Sequence, residues 1–132
     1  MLHAQHKSFR FTIVLLLAIM LLIAPACLPA AESLTPEAAN AHAGETRTIC
    51  GKVANTYYSR FVKDKPTFVN FGRPYPNHVF SIAILGANRD MFENAPEDFF
   101  TGKSLCVTGL IETYDNKPLI VVRDKMQIRI TE

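Results

Sequence analysis

Four basic side chains, Arg60, Lys63, Lys65 and Arg73, bracket the short apolar run Thr67 to Phe71 (TFVNF), with Asp64 set against them. Aromatic residues are interleaved with these cations: Tyr57 and Tyr58 before them, Phe68 inside the run and Tyr75 after it. Cations spaced in this way can follow a phosphate backbone, and aromatic faces stack unpaired bases at about 1 to 3 kcal/mol each. Arg60, Lys63, Lys65, Phe68, Arg73 and Tyr75 therefore form a candidate nucleic-acid-binding set, with single-stranded nucleic acid as the expected partner. Lysines in a strand connection are also commonly just a solvated loop, and aromatics of a small domain are mostly core. Phe68 decides between these readings. If Val69 and Phe71 point inward, Phe68 is an outward platform; alternation alone leaves this open, because both phases of the run contain an aromatic residue.

Other reactive side chains are sparse. The chain has three cysteines and four histidines. Neither His42 nor His78 has a spacing that builds a metal site or sets a base beside a nucleophile. His78 falls in a turn and is expected to be solvated or to cap it. Glu93, Glu97 and Asp98 cluster where a helix is expected and read as its solvated face. No enzymatic activity, metal or cofactor is expected.

The elements that position these residues start after a distinct N-terminal segment. Phe11 to Ala24 is an uncharged apolar run of fourteen residues, preceded by Lys7 and Arg10 and followed by Ala24-Pro25-Ala26 and Ala30-Ala31. That is the pattern of a secretory signal peptide over residues 1–31, cut near 26 or at 30–31, and too short for a bilayer span. A periplasmic or secreted location follows as the expectation. Cys27, directly after Ala26, offers the alternative of a membrane-anchored lipoprotein, although Ala24 stands where a lipoprotein motif usually has Leu. Of the 14 Lys and Arg residues, Lys7 and Arg10 leave with the signal, so 12 remain against 12 Asp and Glu. Near-neutral charge gives no support to strong global attraction for nucleic acid and confines any such activity to a local patch.

Residues 32–46 read as a linker passing into a short helix, capped by Ser33 or Thr35 and ended by Gly44. From residue 47 the pattern is β. Thr48 to Tyr58 alternates with Ile49 and Val53 in one phase; Thr67 to Phe71 follows; Val79 to Leu85 sets Phe80, Ile82 and Ile84 against Ser81 and Ala83, as in a strand with one buried face. Asn88 is a candidate cap for a helix from Arg89 to about Asn94, and Pro96 begins a turn whose Phe99 and Phe100 pack on the sheet. Ser104 to Tyr114, Pro118 to Val122 and Gln127 to Ile130 complete the strands. Three strands, a short helix and then further strands predict a mostly β domain, a five-stranded OB-fold barrel over residues 47–132, against the rival of an open sandwich. Gly51 and Gly109 suit the bends of such a barrel.

In that topology the first and fourth strands are antiparallel neighbours. Cys50 and Cys106 both take the outward phase there, so a disulfide between them is geometrically possible and suits an oxidising compartment. Closing a loop of this size contributes roughly 4 kcal/mol in the chain-entropy model.

The stretches CGKV (Cys50 to Val53), PTFVNFGRPYPN (Pro66 to Asn77), VFSIAI (Val79 to Ile84), Gly102-Lys103 and VTGLIETYDNKPLIVV (Val107 to Val122) together resemble small exported bacterial OB-fold proteins often labelled nucleic-acid-binding. They are also similar to OB modules attached to secreted thermonuclease-type proteins. The resemblance covers Glu45 to Ile130 and implies a non-enzymatic binding barrel whose ligand face is formed by the second and third strands. No domain with metal-binding carboxylates and paired arginines accompanies it here, so nuclease activity is not expected. The alternative is a periplasmic or envelope interaction module that recognises protein or glycan.

Overall fold

Runs of β-branched and aromatic residues at alternate positions, punctuated by Gly, Pro, Asn and Asp, set out six strands. They are β1 (Thr46–Tyr58), β2 (Thr67–Phe71), β3 (Phe80–Ile84), β4 (Ser104–Tyr114), β5 (Lys117–Val122) and β6 (Ile128–Ile130), and one α-helix, α1 (Pro96–Phe100), lies between β3 and β4. These come from a computed structural model that describes residues 31–132. The expected signal segment through residue 30, with its Ala-Pro-Ala pattern and Cys27, lies outside the described residues.

Strand β1 pairs antiparallel with β2, β2 with β3, and β3 runs parallel to β5. Strand β5 pairs antiparallel with β4, and β4 returns to β1, which closes a five-stranded barrel in the order of an OB-fold. Strand β6 adds to β4 alone among the described strands. β1 serves two neighbours. Thr46 to Lys52 face β4 and Val53 to Tyr58 face β2, with a register shift between Val53 and Asn55 where the strand changes partner. A bulge there bends the strand and increases its twist, which closure requires.

The barrel is filled by the inward phase: Val53, Val69, Phe71, Phe80, Ile82, Ile84, Ile111, Ile120 and Val122 are each at most 3% exposed. Gly109 is required here because a Cβ would stand 2.6 Å from Ile120 Cγ2, so its role is close packing across the barrel as much as bending. Gly51 does the same for Pro36, whose Cγ would lie 2.6 Å from an added Cβ.

That contact explains residues 32–46. The segment forms a 3-10 helix over Pro36–His42, with Pro36 and Ala39 buried, and so packs on the barrel where a linker was one expectation. Leu34 extends along β1, donating to Thr48 O at 2.8 Å and accepting from Cys50 N at 2.9 Å. Thr35 occupies the cap position without a side-chain bond.

Between β3 and β4 the helix lies later than the cap signal indicates. Gly86–Met91 is a 3-10 helix, and the Asn88 side chain donates to Val122 O instead of capping it. The α-helix occupies Pro96–Phe100, where a turn was expected. Pro96 suits the first helical position, Glu97 and Asp98 suit the first turn, and Phe100 is drawn into the core at 1% exposure. Phe99 and Phe92 pack edge-on against Phe100 at 5.0 and 5.4 Å between centroids. Burial of the aromatic cluster therefore outweighs the local cap.

Strand β3 also departs from its pattern, since Ser81 and Ala83 are 3% and 4% exposed and the strand is buried on both faces. It sits between β2 and β5, and its small outer side chains are overhung by larger neighbours. The disulfide is present: Cys50 stands directly opposite Cys106 in the β1–β4 ladder, with Cα atoms 4.0 Å apart. Arg129 Nη2 lies 3.5 Å from Cys106 Sγ on the β6 side.

Candidate functional site

The outer face of β2 settles the orientation of Phe68. Val69 and Phe71 are fully buried inward, so Phe68 and Asn70 point to the opposite face. Strand register extends each of them into a row. Asn70 lies opposite Asn55 of β1 and Ser81 of β3, and Phe68 lies opposite Tyr57 of β1 and Ala83 of β3.

The first row is polar and joined. Ser81 Oγ donates to Asn70 Oδ1 at 2.6 Å, and Asn70 Nδ2 donates to Asn55 Oδ1 at 3.1 Å. Asn55 Oδ1 also accepts the Tyr75 backbone N–H at 3.3 Å, which ties the β2–β3 turn to the sheet. The second row is aromatic, and β4 completes it: Tyr114 stacks on Phe68 with centroids 6.2 Å apart and planes 24° from parallel.

Tyr57, Phe68, Asn70, Ser81 and Tyr114 of these rows line a cleft of about 460 Å³. Its floor is Phe68, Asn70, Ser81 and Leu119; its walls are Tyr57 and Val62 on one side and Tyr75, Pro76 and His78 on another. The β4–β5 hairpin closes the remaining side through Tyr114, Asp115 and Lys117. Asp115 and Asn116 both have positive φ, 50° and 58°, the form of a two-residue hairpin turn that these residue types favour. Tyr57, Tyr75 and Tyr114 are 56%, 67% and 57% exposed, so three phenol rings stand free around the rim. Exposed large aromatics around a concave surface are the composition of a recognition site.

The cleft is lined by one charged side chain of each sign, Asp115 and Lys117. Lys117 Nζ donates to the His78 carbonyl at 2.8 Å, and Asp115 stands beside it in sequence. The imidazole of His78, expected to be solvated in its turn, is 8% exposed and stacks on Tyr75 at 5.7 Å. Tyr75 covers it from the turn and is itself tied to the sheet by Asn55. Burial, and secondarily the Lys117 ammonium, push His78 below its ordinary value, with Asp115 opposing.

Of the six residues proposed from sequence, Phe68 and Tyr75 line the cleft. Arg73 is exposed in the same β2–β3 turn as Tyr75. Lys63 and Lys65 are exposed in the β1–β2 loop, beside cleft-lining Val62, in a curl where Lys65 N donates to Val62 O. Arg60 turns toward Tyr58, on the face of β1 opposite to Tyr57. Its guanidinium lies 5.6 Å from the Tyr58 ring, on which Arg89 also sits at 3.7 Å. Arg89 pairs with Glu97 through two bonds of 2.8 and 3.0 Å and bonds Thr67, so Tyr58 and Glu97 belong to a structural network there. Tyr114, Tyr57, Asn70, Ser81, His78 and Lys117 were not in the sequence-proposed set. The alternating phase of β2 and the hairpin signal at Asp115-Asn116 carry part of that information; the side-by-side register of β1, β2 and β3 carries the rest. No group of His, Cys, Asp and Glu that could hold a metal ion is found among the described residues, and no described helix is long and apolar enough to cross a membrane.

No family model matches the chain, and no curated protein matches it. Solved structures of similar shape include the hypothetical protein ygiW from E. coli, at 14% identity and TM-score 0.45, covering 78% of this chain and 94% of that one. Another is the aspartyl tRNA synthetase from Entamoeba histolytica, at 13% identity and TM-score 0.47, covering 84% of this chain but 23% of the synthetase. At these values the fold assignment rests on this chain's own strand order, closed from β4 back to β1 as an OB-fold barrel.

Proposed function

We propose that the domain is a non-enzymatic binding protein that takes single-stranded nucleic acid in this cleft, reading it mainly through its bases. The observation that carries the proposal is the ring of exposed Tyr57, Tyr75 and Tyr114 around Phe68 on the outer face of β2 and β3. Stacking on such rings tolerates any base, and the buried, mutually bonded Asn70–Ser81 pair gives them a fixed polar floor. Phosphates would be met at the margin by Arg73 and Lys63, since within the cleft the Lys117 charge is offset by Asp115.

Electrostatics would then be a minor part of the affinity. Two phosphate contacts correspond to a slope of about −1.4 in a plot of log affinity against log salt for a single strand. The same balance of Asp115 and Lys117 favours a second reading, in which the cleft takes a neutral glycan or an apolar protein segment. Export to an oxidising compartment, by signal cleavage or as a Cys27 lipoprotein, forms part of the proposal and is supported by the Cys50–Cys106 disulfide.

Fluorescence-polarisation titration with labelled single-stranded DNA and RNA across a salt series tests it. Binding that weakens gently with salt is expected. Absence of binding at low salt would discard the nucleic-acid reading in favour of the neutral-ligand one.

A further inference from the structure

Tyr75 is the most exposed aromatic of the cleft rim, and it leans on a histidine whose buried Nδ1 has no acceptor for a second proton. His78 is 8% exposed, and among the described residues its Nδ1 is the one buried side-chain nitrogen or oxygen without a hydrogen-bond partner. Its ring supports Tyr75 at 5.7 Å with planes 22° apart, while its carbonyl is fixed to β5 by Lys117 Nζ at 2.8 Å. The backbone on the other side of Tyr75 is held by Asn55. One wall of the cleft is thus clamped between a side-chain amide and an imidazole.

A neutral imidazole suits that position, because one nitrogen can stay without a proton and the ring face is apolar enough to stack. An imidazolium does not. Protonation makes both ring nitrogens donors, and a buried donor without an acceptor carries its full desolvation penalty. The surrounding groups offer limited relief. Around the same cleft β5 contributes the Lys117 ammonium, which repels a second cation, and the β4–β5 turn contributes Asp115, which attracts it. The phenols of Tyr57, Tyr75 and Tyr114 complete the titratable groups there, and β2 and β3 present the uncharged Asn70 and Ser81.

We propose that His78 is a proton-operated latch on Tyr75: neutral, it holds that wall of the cleft in place, and protonated, it swings out and releases both Tyr75 and the bound strand. The identity of the released ligand rests on the nucleic-acid reading above; the latch is a property of the free protein. Its sign follows from the depressed native value of His78. The latched state has its full stability above the ordinary histidine value of about 6.5 and loses it as the pH falls through the lower native value.

The test is NMR of the purified protein between about pH 7.5 and pH 5, following the Tyr75 ring shifts and the Tyr75–His78 NOEs, in wild type and in His78→Phe, which keeps a stacking ring but cannot titrate. A parallel arm measures binding of an oligothymidylate, whose bases do not titrate in this range. Loss of the NOEs on acidification in wild type, an acid-invariant Tyr75 in the variant and at least threefold weaker wild-type binding at the low pH are expected. General acidification works the other way, since it makes the protein more cationic and favours an anionic ligand. NOEs that persist in wild type through the titration of the His78 ring, followed by its own ring shifts, overturn the latch by themselves, even if the variant fails to fold. A variant that still shows the transition also overturns it. A transition with binding unchanged by pH overturns the release step, and a transition with no binding at any pH keeps the latch while removing the nucleic-acid reading.

Discussion

Phe68 of β2 and Tyr114 at the end of β4 stack on the outer surface of the barrel, 6.2 Å between ring centroids and 24° between planes. Strand pairing alone does not bring them together: β2 and β4 are not neighbours in the sheet, and Tyr114 reaches Phe68 from the β4–β5 hairpin that closes one side of the cleft. Phe68 supplies a fixed floor and Tyr114 a ring that is more than half exposed.

Removing that exposed ring should weaken the ligand without loosening the core. Tyr114→Ala is expected to reduce affinity for single-stranded DNA by about 1 to 3 kcal/mol, roughly 5- to 150-fold. Met126→Ala is the matched control, because Met126 is 82% exposed yet does not line the cleft. Equal effects of the two substitutions in the same polarisation assay would remove Tyr114 from the site.

The disulfide should act on stability more than on binding. Cys50→Ser with Cys106→Ser opens a loop closed across a sequence separation of 56, which the chain-entropy model values at about 4 kcal/mol. For a domain of this size each kcal/mol shifts Tm by about 4 to 8 °C. Thermal unfolding of oxidised and double-mutant protein should therefore differ by roughly 15 to 30 °C, and a shift of only a few degrees would mean that the bridge adds little constraint.

A smaller change tests the close approach across the barrel. Gly109→Ala places a methyl 2.6 Å from Ile120 Cγ2, and Ile120 is fully buried with no free direction to move. Overpacking of this kind costs about 1 to 3 kcal/mol. Urea denaturation should show a lower midpoint with unchanged slope; an unaltered midpoint would mean that the wall yields easily.

On the Tyr58 face of β1 the Arg89–Glu97 pair sets an acid limit. The Arg89 hydrogen bonds hold the Glu97 carboxyl below its usual range, outweighing desolvation. The stabilisation is complete above the ordinary glutamate value of about 4.3 and is lost as the pH falls through the lower native value. Glu97→Gln should cost about 1 to 3 kcal/mol at neutral pH, because Arg89 is left with weaker partners. The difference between wild type and variant should shrink in denaturation curves taken below about pH 4.3; a constant difference would contradict the pairing.

Much of the fold is legible in the residues themselves. The run TFVNF is β2 and SLCVTGLIETY is β4 to the residue, and the phase of Cys50 and Cys106 anticipates their pairing. The helix between β3 and β4 was misplaced because Asn88 carries a cap signal, while Phe100 carries a burial requirement that appears only once the barrel exists for it to plug. Half-buried patterning at Ser81 and Ala83 likewise hides a strand enclosed on both faces. In the site, the clustering of cations drew attention to Arg60, whose side chain follows the phase of Tyr58 away from Tyr57. The residues it displaced, Tyr114, His78 and Lys117, reach the cleft from distant parts of the chain.

The central claim, that ligand enters the cleft over Phe68, is tested most directly by titrating isotope-labelled protein with an oligothymidylate and mapping the NMR shift changes. The account predicts that they concentrate on Tyr57, Phe68, Tyr75, Ser81 and Tyr114. Changes confined to the network of Tyr58, Arg89 and Glu97 on the other face of β1, or no changes at all, would contradict it.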